Sequence, residues 1–208
     1  MKTKSLLSAI LLFPAATIFS QAPCSGTPTI VYASQTYNTV QIGSQCWLKE
    51  NLNVGVQVAD ITVQSNNTTI EKACYNNTVT NCNIYGGIYT WDEAMNYTTS
   101  TQGICPNGWH IPTKAEFQTL NSFLGTSTAG QKMKVTASNV PAWDGTNTGF
   151  TALPGGIGQG TNFLFMGTRE TFWSSTQFNA TDAYDYDLTT GSNLLTEANN
   201  TKNGGYCV

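Results

Sequence analysis

Charge is scarce in this chain: Asp, Glu, Lys and Arg together make up 10% of its 208 residues, and only nine of those residues are basic. The basic residues are scattered rather than clustered, so the chain has no cationic face of the kind that non-specific nucleic-acid binding requires. There is one histidine, His110, and any acid–base or triad chemistry that needs imidazole has to use it. The Gly-x-Ser-x-Gly turn that presents a nucleophilic serine is absent. No Cys-x-x-Cys pair occurs, which with a single histidine leaves a zinc site without ligands. There are no internal repeats, and no linker long enough to divide the chain. Beyond Phe19 no apolar run approaches the roughly 20 residues that span a bilayer.

What is present begins with a leader. Lys2 and Lys4 precede an apolar run from Leu6 to Phe19, broken by Pro14 and followed by Ser20. This reads as a secretory signal peptide over residues 1–20, cleaved after Ser20, and the residues before Cys24 do not form a lipobox. The remaining residues, 21–208, suit one domain, large enough to bury roughly 70% of its unfolded surface. Loss of Lys2 and Lys4 takes the formal net charge from −3 to −5. Thr and Asn dominate the rest, which favours short strands joined by polar loops.

All six cysteines, Cys24, Cys46, Cys74, Cys82, Cys105 and Cys207, follow the leader. An even count behind a signal peptide reads as a disulfide framework, although six cysteines allow fifteen connectivities. Proximity favours Cys74–Cys82, which closes a short Asn-rich loop.

The clearest local structure is a helix from Thr113 to Gly125. Thr113 and Glu116 form a capping box, Pro112 forces an extended entry, and Phe117, Leu120, Phe123 and Leu124 recur at helical spacing. A second, short helix starts at the cap Thr90, with Trp91, Ala94 and Met95 facing inward and Asp92 and Glu93 favourable to its dipole. Residues 29–48 alternate as a hairpin turning near Ala33 to Thr36, and residues 64–83 read as an exposed polar loop. NFLFMG, ETFWSST and AYDYDLTTGS are three strand-sized runs of the core sheet, and the tail TKNGGYCV is expected beside the N-terminal strand.

Chemistry-bearing candidates are few. His110 sits in an apolar segment before the main helix and reads as structural. Glu116 is occupied by its cap. Asp182, Asp185 and Asp187 are candidate calcium ligands, since calcium gathers six to eight oxygens, often from clustered carboxylates. Alternation, however, places Asp185 and Asp187 on one strand face and Tyr184 and Tyr186 on the other, as in an ordinary amphipathic strand. Tyr184 and Tyr186 are candidate ligand contacts. Phe163 and Phe165 are weaker ones, for which core packing is expected, and Trp47, Trp91, Trp109, Trp143 and Trp173 are mostly expected in the core.

Four separated stretches carry a resemblance: TVQIGSQCWLKENLNVG (39–55), CYNN…NC…YGGIYTWDEAM (74–95), GICPNGWHIPTKAEF (103–117), and GFTALPGG (149–156) with FWSST (172–176). Together they resemble the Fibrobacter succinogenes major paralogous domain, found mostly in secreted bacterial proteins. The family's usual closing strand, Ser-Val-Arg-Cys, reads GGYCV here, without the arginine. The resemblance implies an α+β, C-type-lectin-like fold shared with formylglycine-generating enzymes: a twisted antiparallel sheet, two helices and long loops, braced by disulfides. It also implies a Cys105–Cys207 disulfide, and Cys24–Cys46 is then what remains. The reactive cysteines of the formylglycine-generating enzymes lie near the C-terminus, but Cys207 has only Lys202 as basic company in sequence.

The expected function is a non-catalytic binding module, secreted or on a bacterial cell surface, that engages a glycan or a protein in an adhesion-like role. A structural subunit of a surface assembly is the alternative, and a hydrolytic or formylglycine-generating-like enzyme has least support. No cofactor is expected apart from the calcium considered above, nor any nucleic-acid partner or transmembrane segment.

Overall fold

The computed structural model of the chain describes residues 22–146 and 148–208, so the expected signal peptide lies outside the described residues. In chain order the elements are β1 (Thr29–Tyr32), β2 (Gln35–Ile42), β3 (Gln45–Leu48), β4 (Val56–Val58), β5 (Glu71–Ala73), α1 (Val79–Tyr85), α2 (Trp91–Ala94), α3 (Lys114–Leu124) and α4 (Ala129–Met133), followed by β6 (Ile157–Gln159), β7 (Asn162–Leu164), β8 (Arg169–Gln177), β9 (Asp182–Thr189), β10 (Thr196–Thr201) and β11 (Gly204–Gly205). The class is α+β, as expected. The single sheet that was expected is instead divided into three antiparallel sheets, β1-β2-β3, β10-β9-β8 and β11-β6-β7, and a parallel pair, β4-β5. Among the described residues there are four α-helices where the sequence predicts two.

The expected hairpin is present, and a third strand extends it. Ala33 and Ser34 at the β1–β2 turn both take positive φ, 47° and 64°, matching the right-handed twist of the strands they join. Helix α3 carries the full capping box: Thr113 Oγ1 accepts from the Glu116 amide, and Glu116 Oε2 accepts from the Thr113 amide at 2.7 Å. Phe117, Leu120 and Leu124 are buried, whereas Phe123 falls on the outer flank, against Gly43. Phe117 stacks on Tyr186 of β9 at 4.2 Å and meets Trp47 of β3 at 5.4 Å, so α3 lies across one face of the β8–β9 sheet and ties it to the hairpin.

The segment expected as a polar loop contains β5 and α1. No apolar periodicity announces α1, and the Thr78 hydroxyl caps no amide of the helix, donating instead to the Asn76 carbonyl at 3.1 Å. The Cys74–Cys82 disulfide ties the helix back to the strand that precedes it. Helix α4 follows α3 after a short turn. Ala129, Gly130 and Met133 pack inward, and a Cβ on Gly130 would collide with the Leu194 carbonyl.

The tail does not return beside β1. Instead β11 pairs with β6, Tyr206 exchanges backbone hydrogen bonds with Tyr89 at 2.9 Å, and the Cys207 amide donates to the Thr171 carbonyl at 3.0 Å. The tail therefore stitches sheets together in the interior, where Tyr206 packs on Trp173 with ring centroids 4.3 Å apart.

Cys24–Cys46 and Cys74–Cys82 are disulfides, but Cys105 and Cys207 are free, buried thiols, so the expected third bridge is not formed. Pairing beside β8 turns the Cys207 thiol towards Glu170 and Asn51, among the residues packed under α3. Cys105 belongs to the other large core cluster, with Trp91, Ile111 and Trp173.

Candidate binding cleft

Alternation along β8 and β9 sends Phe172, Tyr186 and Leu188 towards α3, and Arg169, Thr171, Trp173, Asp185 and Asp187 to the opposite face. On that second face Arg169 grips Asp187 with two nitrogens, Nε at 3.0 Å and Nη2 at 2.7 Å from Oδ1. Nη2 also lies 2.7 Å from Oδ2. Thr171 Oγ1 donates to the same carboxylate at 2.6 Å. Beside it Asp185 is fully buried. Its Oδ2 accepts from Asn200 Nδ2 of β10 at 2.9 Å, and its Oδ1 has no partner among the described residues. Burial pushes the Asp185 carboxyl up to about 7; Asn200 and Arg169 work against the rise and Asp187 adds to it.

In front of these groups opens a cleft of about 850 Å³. Thr90, Asp92 and Tyr97 from α2 and the turn after it form one wall; Gln159, Phe165 and Arg169 form another; Asn200, Asn203 and Tyr206 line it too, as do Thr62 and Gln64. The polar side chains are held from behind. The Tyr97 hydroxyl donates to Glu93 Oε2 at 3.1 Å, and Glu93 Oε1 accepts from the Glu71 amide at 2.7 Å. Burial raises the Glu93 carboxyl above its ordinary range. Gln64 is a strut, accepting from the Thr90 amide at 2.7 Å and donating to the Ile88 carbonyl at 2.9 Å. Tyr206 offers a hydroxyl with no hydrogen-bond partner among the described residues, and burial, with Asp185 close by, pushes its phenol up.

Backbone strain marks the same place. Tyr97 and Phe165 hold φ of 51° and 66°, a region that bulky L-residues rarely occupy, and both line the cleft. Strain of this kind persists where surrounding structure enforces it, and it concentrates at functional sites.

The residues singled out from sequence fall mostly elsewhere. Asp182 closes a turn, accepting from Asn179 Nδ2 at 2.7 Å and Thr181 Oγ1 at 3.0 Å. Asp185 and Asp187 share a face as expected but are engaged by Asn200 and Arg169. Among the described residues no three His, Cys, Asp or Glu side chains gather in a group able to hold a metal ion. Tyr186 is not a surface contact. Its ring is buried under α3, and its hydroxyl donates to the Lys114 carbonyl at 3.1 Å and to Glu197 Oε2 at 2.9 Å. Tyr184 sits beneath the Lys114 ammonium at 3.8 Å, away from the cleft. Phe163 packs on Tyr75, whereas Phe165 is half exposed at the cleft rim. His110 Nε2 lies 2.8 and 3.0 Å from the two Glu116 oxygens, which adds to the cap of α3. Trp47, Trp91, Trp143 and Trp173 are buried.

Sequence reading missed Tyr97, Arg169, Asn200 and Tyr206, the residues that shape the cleft. The one usable signal was Arg169, the sole arginine in a chain poor in charge.

The chain belongs to the Fibrobacter succinogenes major domain family, whose profile matches residues 40–203. No curated protein and no solved structure matches the chain.

Proposed function

We propose that this member of the Fibrobacter succinogenes major domain family is an extracellular binding module, built on a lectin-like scaffold, that takes a neutral glycan in the cleft beside Tyr97, Arg169, Asn200 and Tyr206. The observation that carries the reading is the immobilisation of the cleft's polar groups from behind. Asp187 holds Arg169, Asp185 holds Asn200 and Glu93 holds Tyr97, while the Tyr206 hydroxyl has no hydrogen-bond partner among the described residues. Such preorganisation lowers the ordering cost of binding, and a few fixed polar groups beside aromatic surface suit a polyhydroxylated ring.

Charge narrows the ligand class. Arg169 is neutralised by Asp187, and the Asp92 carboxylate in the lining has no ion-pair partner among the described residues, so the cleft disfavours anionic sugars. Two disulfides fit an oxidising compartment, and no helix among the described residues is long and apolar enough to cross a membrane.

The test is a glycan array probed with the disulfide-intact protein, with and without a calcium chelator. Selective binding to neutral glycans is expected, indifferent to chelator because Asp187 is already engaged by Arg169. Tyr206→Phe and Asn200→Ala should each weaken binding about tenfold, the scale of one hydrogen bond. Chelator-sensitive binding would restore calcium at Asp182, Asp185 and Asp187. Silence across the array together with concentration-dependent self-association would favour a structural subunit instead.

A further inference from the structure

The sheet β1-β2-β3 has a free edge at β1. The Thr39 amide donates to the Pro28 carbonyl at 3.0 Å, and the register continues with Ile30 opposite Tyr37 and Tyr32 opposite Gln35. Backbone groups alternate in direction along a strand, so Pro28, Ile30 and Tyr32 face β2, and Thr29 and Val31 turn their N–H and C=O groups away from it. Those four groups have no partner among the described residues. Edges of this kind are normally blunted by charge, proline or a bulge. Pro28 stands just outside β1, and neither a charged residue nor histidine occurs between Lys4 and Lys49, so no charge in this sheet repels an added strand.

Alongside the edge runs a groove of about 630 Å³, within the range of ligand-binding clefts. Ile30, Val31 and Tyr32 line it on the β1 side, and Ile70, Ile104 and Trp109 line it elsewhere. The Tyr32 hydroxyl donates to the Ile104 carbonyl at 3.1 Å and so ties the strand to that wall. Ile30, Tyr32, Ile70 and Trp109 are half-buried at the margin of the core cluster around Trp91, Ile111 and Trp173, so the groove is a stretch of core left uncovered. None of its lining residues is charged, and it shares none of them with the cleft.

We propose that β1 and this groove take an extended, uncharged strand of a partner protein, with β-branched or aromatic residues at alternate positions. The added backbone pairs with Thr29 and Val31, about 7 Å apart along β1, through four hydrogen bonds. An extended peptide repeats its donors and acceptors at that spacing, and a sugar ring does not. Its residues opposite Ile30 and Tyr32 turn their side chains to the groove, where a charge would lose water and gain no partner. A second copy of the chain is a poorer occupant, because its own Ile30 and Tyr32 already pack on its own core. The assignment does not rest on the neutral-glycan reading of the cleft.

The test is amide hydrogen exchange of the disulfide-intact protein, read residue by residue by NMR, with and without the peptide acetyl-TVTVTVT-amide. The Thr29 and Val31 amides should exchange fast in the free protein and at least tenfold more slowly with peptide. Val31→Pro removes an outward N–H and no bond to β2, so it should keep the fold and abolish the protection of Thr29. N-methylation of the peptide's threonines, which removes the donors that face β1, should abolish protection of both amides in the unaltered protein. Glutamate in place of the peptide's valines should weaken binding at least tenfold, and Asn200→Ala, which alters the cleft, should bind the peptide as the parent does. Undiminished binding of the N-methylated peptide would overturn the strand pairing, and equal binding of the glutamate peptide would overturn the apolar groove. Protection that rises with protein concentration in the absence of peptide, together with a dimer mass, would give the edge to a second copy. No change at either amide would overturn the site.

Discussion

Glu170 is fully buried in β8, and its pH behaviour provides a stringent test of the interior described above. Its carboxyl accepts from Asn51 Nδ2 at 2.9 Å and from the Gly155 amide at 2.7 Å, with the Cys207 thiol alongside. Burial outweighs these donors and pushes the carboxyl up to about 8. Between an unfolded value near 4.3 and that folded value, the native state holds a proton that the unfolded chain has released. Stability contributed by Glu170 is therefore full at acid pH and lost as pH rises towards 8, the reverse of a salt-bridged carboxylate. At about 1.4 kcal/mol per pH unit the ceiling on the loss is roughly 5 kcal/mol. Asp185, pushed up to about 7, adds a loss of the same sign that ends about one unit earlier. Glu116, Asp144 and Glu197 are held below their ordinary values by hydrogen bonds and nearby cations in spite of burial, so their contributions are lost only at lower pH. Urea unfolding across pH 4 to 9 should accordingly show stability that declines steadily from about pH 5 to pH 8. Glu170→Gln sets an N–H against one of the existing donors, so the variant starts less stable. The diagnostic is its slope, which should flatten above pH 7, where Asp185 no longer titrates. A parent protein whose stability is level or rises from pH 5 to 8, or a variant with the parent's slope, would falsify the assignment.

Three further outcomes test other parts of the fold. Cys105 and Cys207 should resist a thiol reagent in the native protein, since burial pushes the Cys105 thiol up to about 12, and should both react once the chain is unfolded without reductant. No reactive thiol in the unfolded chain would mean that a third disulfide exists. Lys134 is buried, with its ammonium 2.6 Å from Asp144 and bonded to the Thr189 and Ser192 carbonyls at 3.1 and 2.9 Å. Lys134→Met should cost about 3 kcal/mol in denaturant unfolding, and an unchanged midpoint would show the buried cation to be dispensable. Thr113→Ala removes one half of the capping box and should cost about 1 kcal/mol, with no loss if the cap is redundant beside Pro112.

Elements whose signals are local were legible in the sequence. The capping box from Thr113 to Glu116 and the cap at Thr90 each mark a helix start within four residues, and both helices begin there. The alternating apolar residues of β2 and the strand-sized runs around β8 and β9 were equally plain. Helix α1 and strand β10 gave no such signal. The first is a polar turn of chain held by a disulfide, and the second, TEANNT, is an edge strand whose residues are mostly exposed and so need no apolar alternation. The tail was misplaced for a similar reason. Nothing in GGYCV says which of several strands it joins, and its partners, Tyr89, Phe172 and Leu52, come from three distant parts of the chain.

The cleft was illegible for a deeper reason, and the same reason explains the calcium expectation. Its lining is drawn from residues 61–65, 90–97, 157–169 and 200–206, brought together only by the way the sheets close. The sequence did single out the right strand, since β9 carries Asp185 and Asp187 on the cleft side. It assigned those carboxylates to a metal because clustered acids read alike whether they bind a cation or position a side chain. The distinction lies in register. Thr171 pairs with Asp187, which sets the Arg169 guanidinium diagonally over that carboxylate, and Ala183 pairs with Asn200, which brings the Asn200 amide to Asp185. Strand pairing is a property of two segments at once, so no inspection of AYDYDL by itself could supply it. Once the register is known, the two acids become supports for the arginine and the asparagine that face the cleft. The functional groups are then those neutral or neutralised side chains, not the acids behind them.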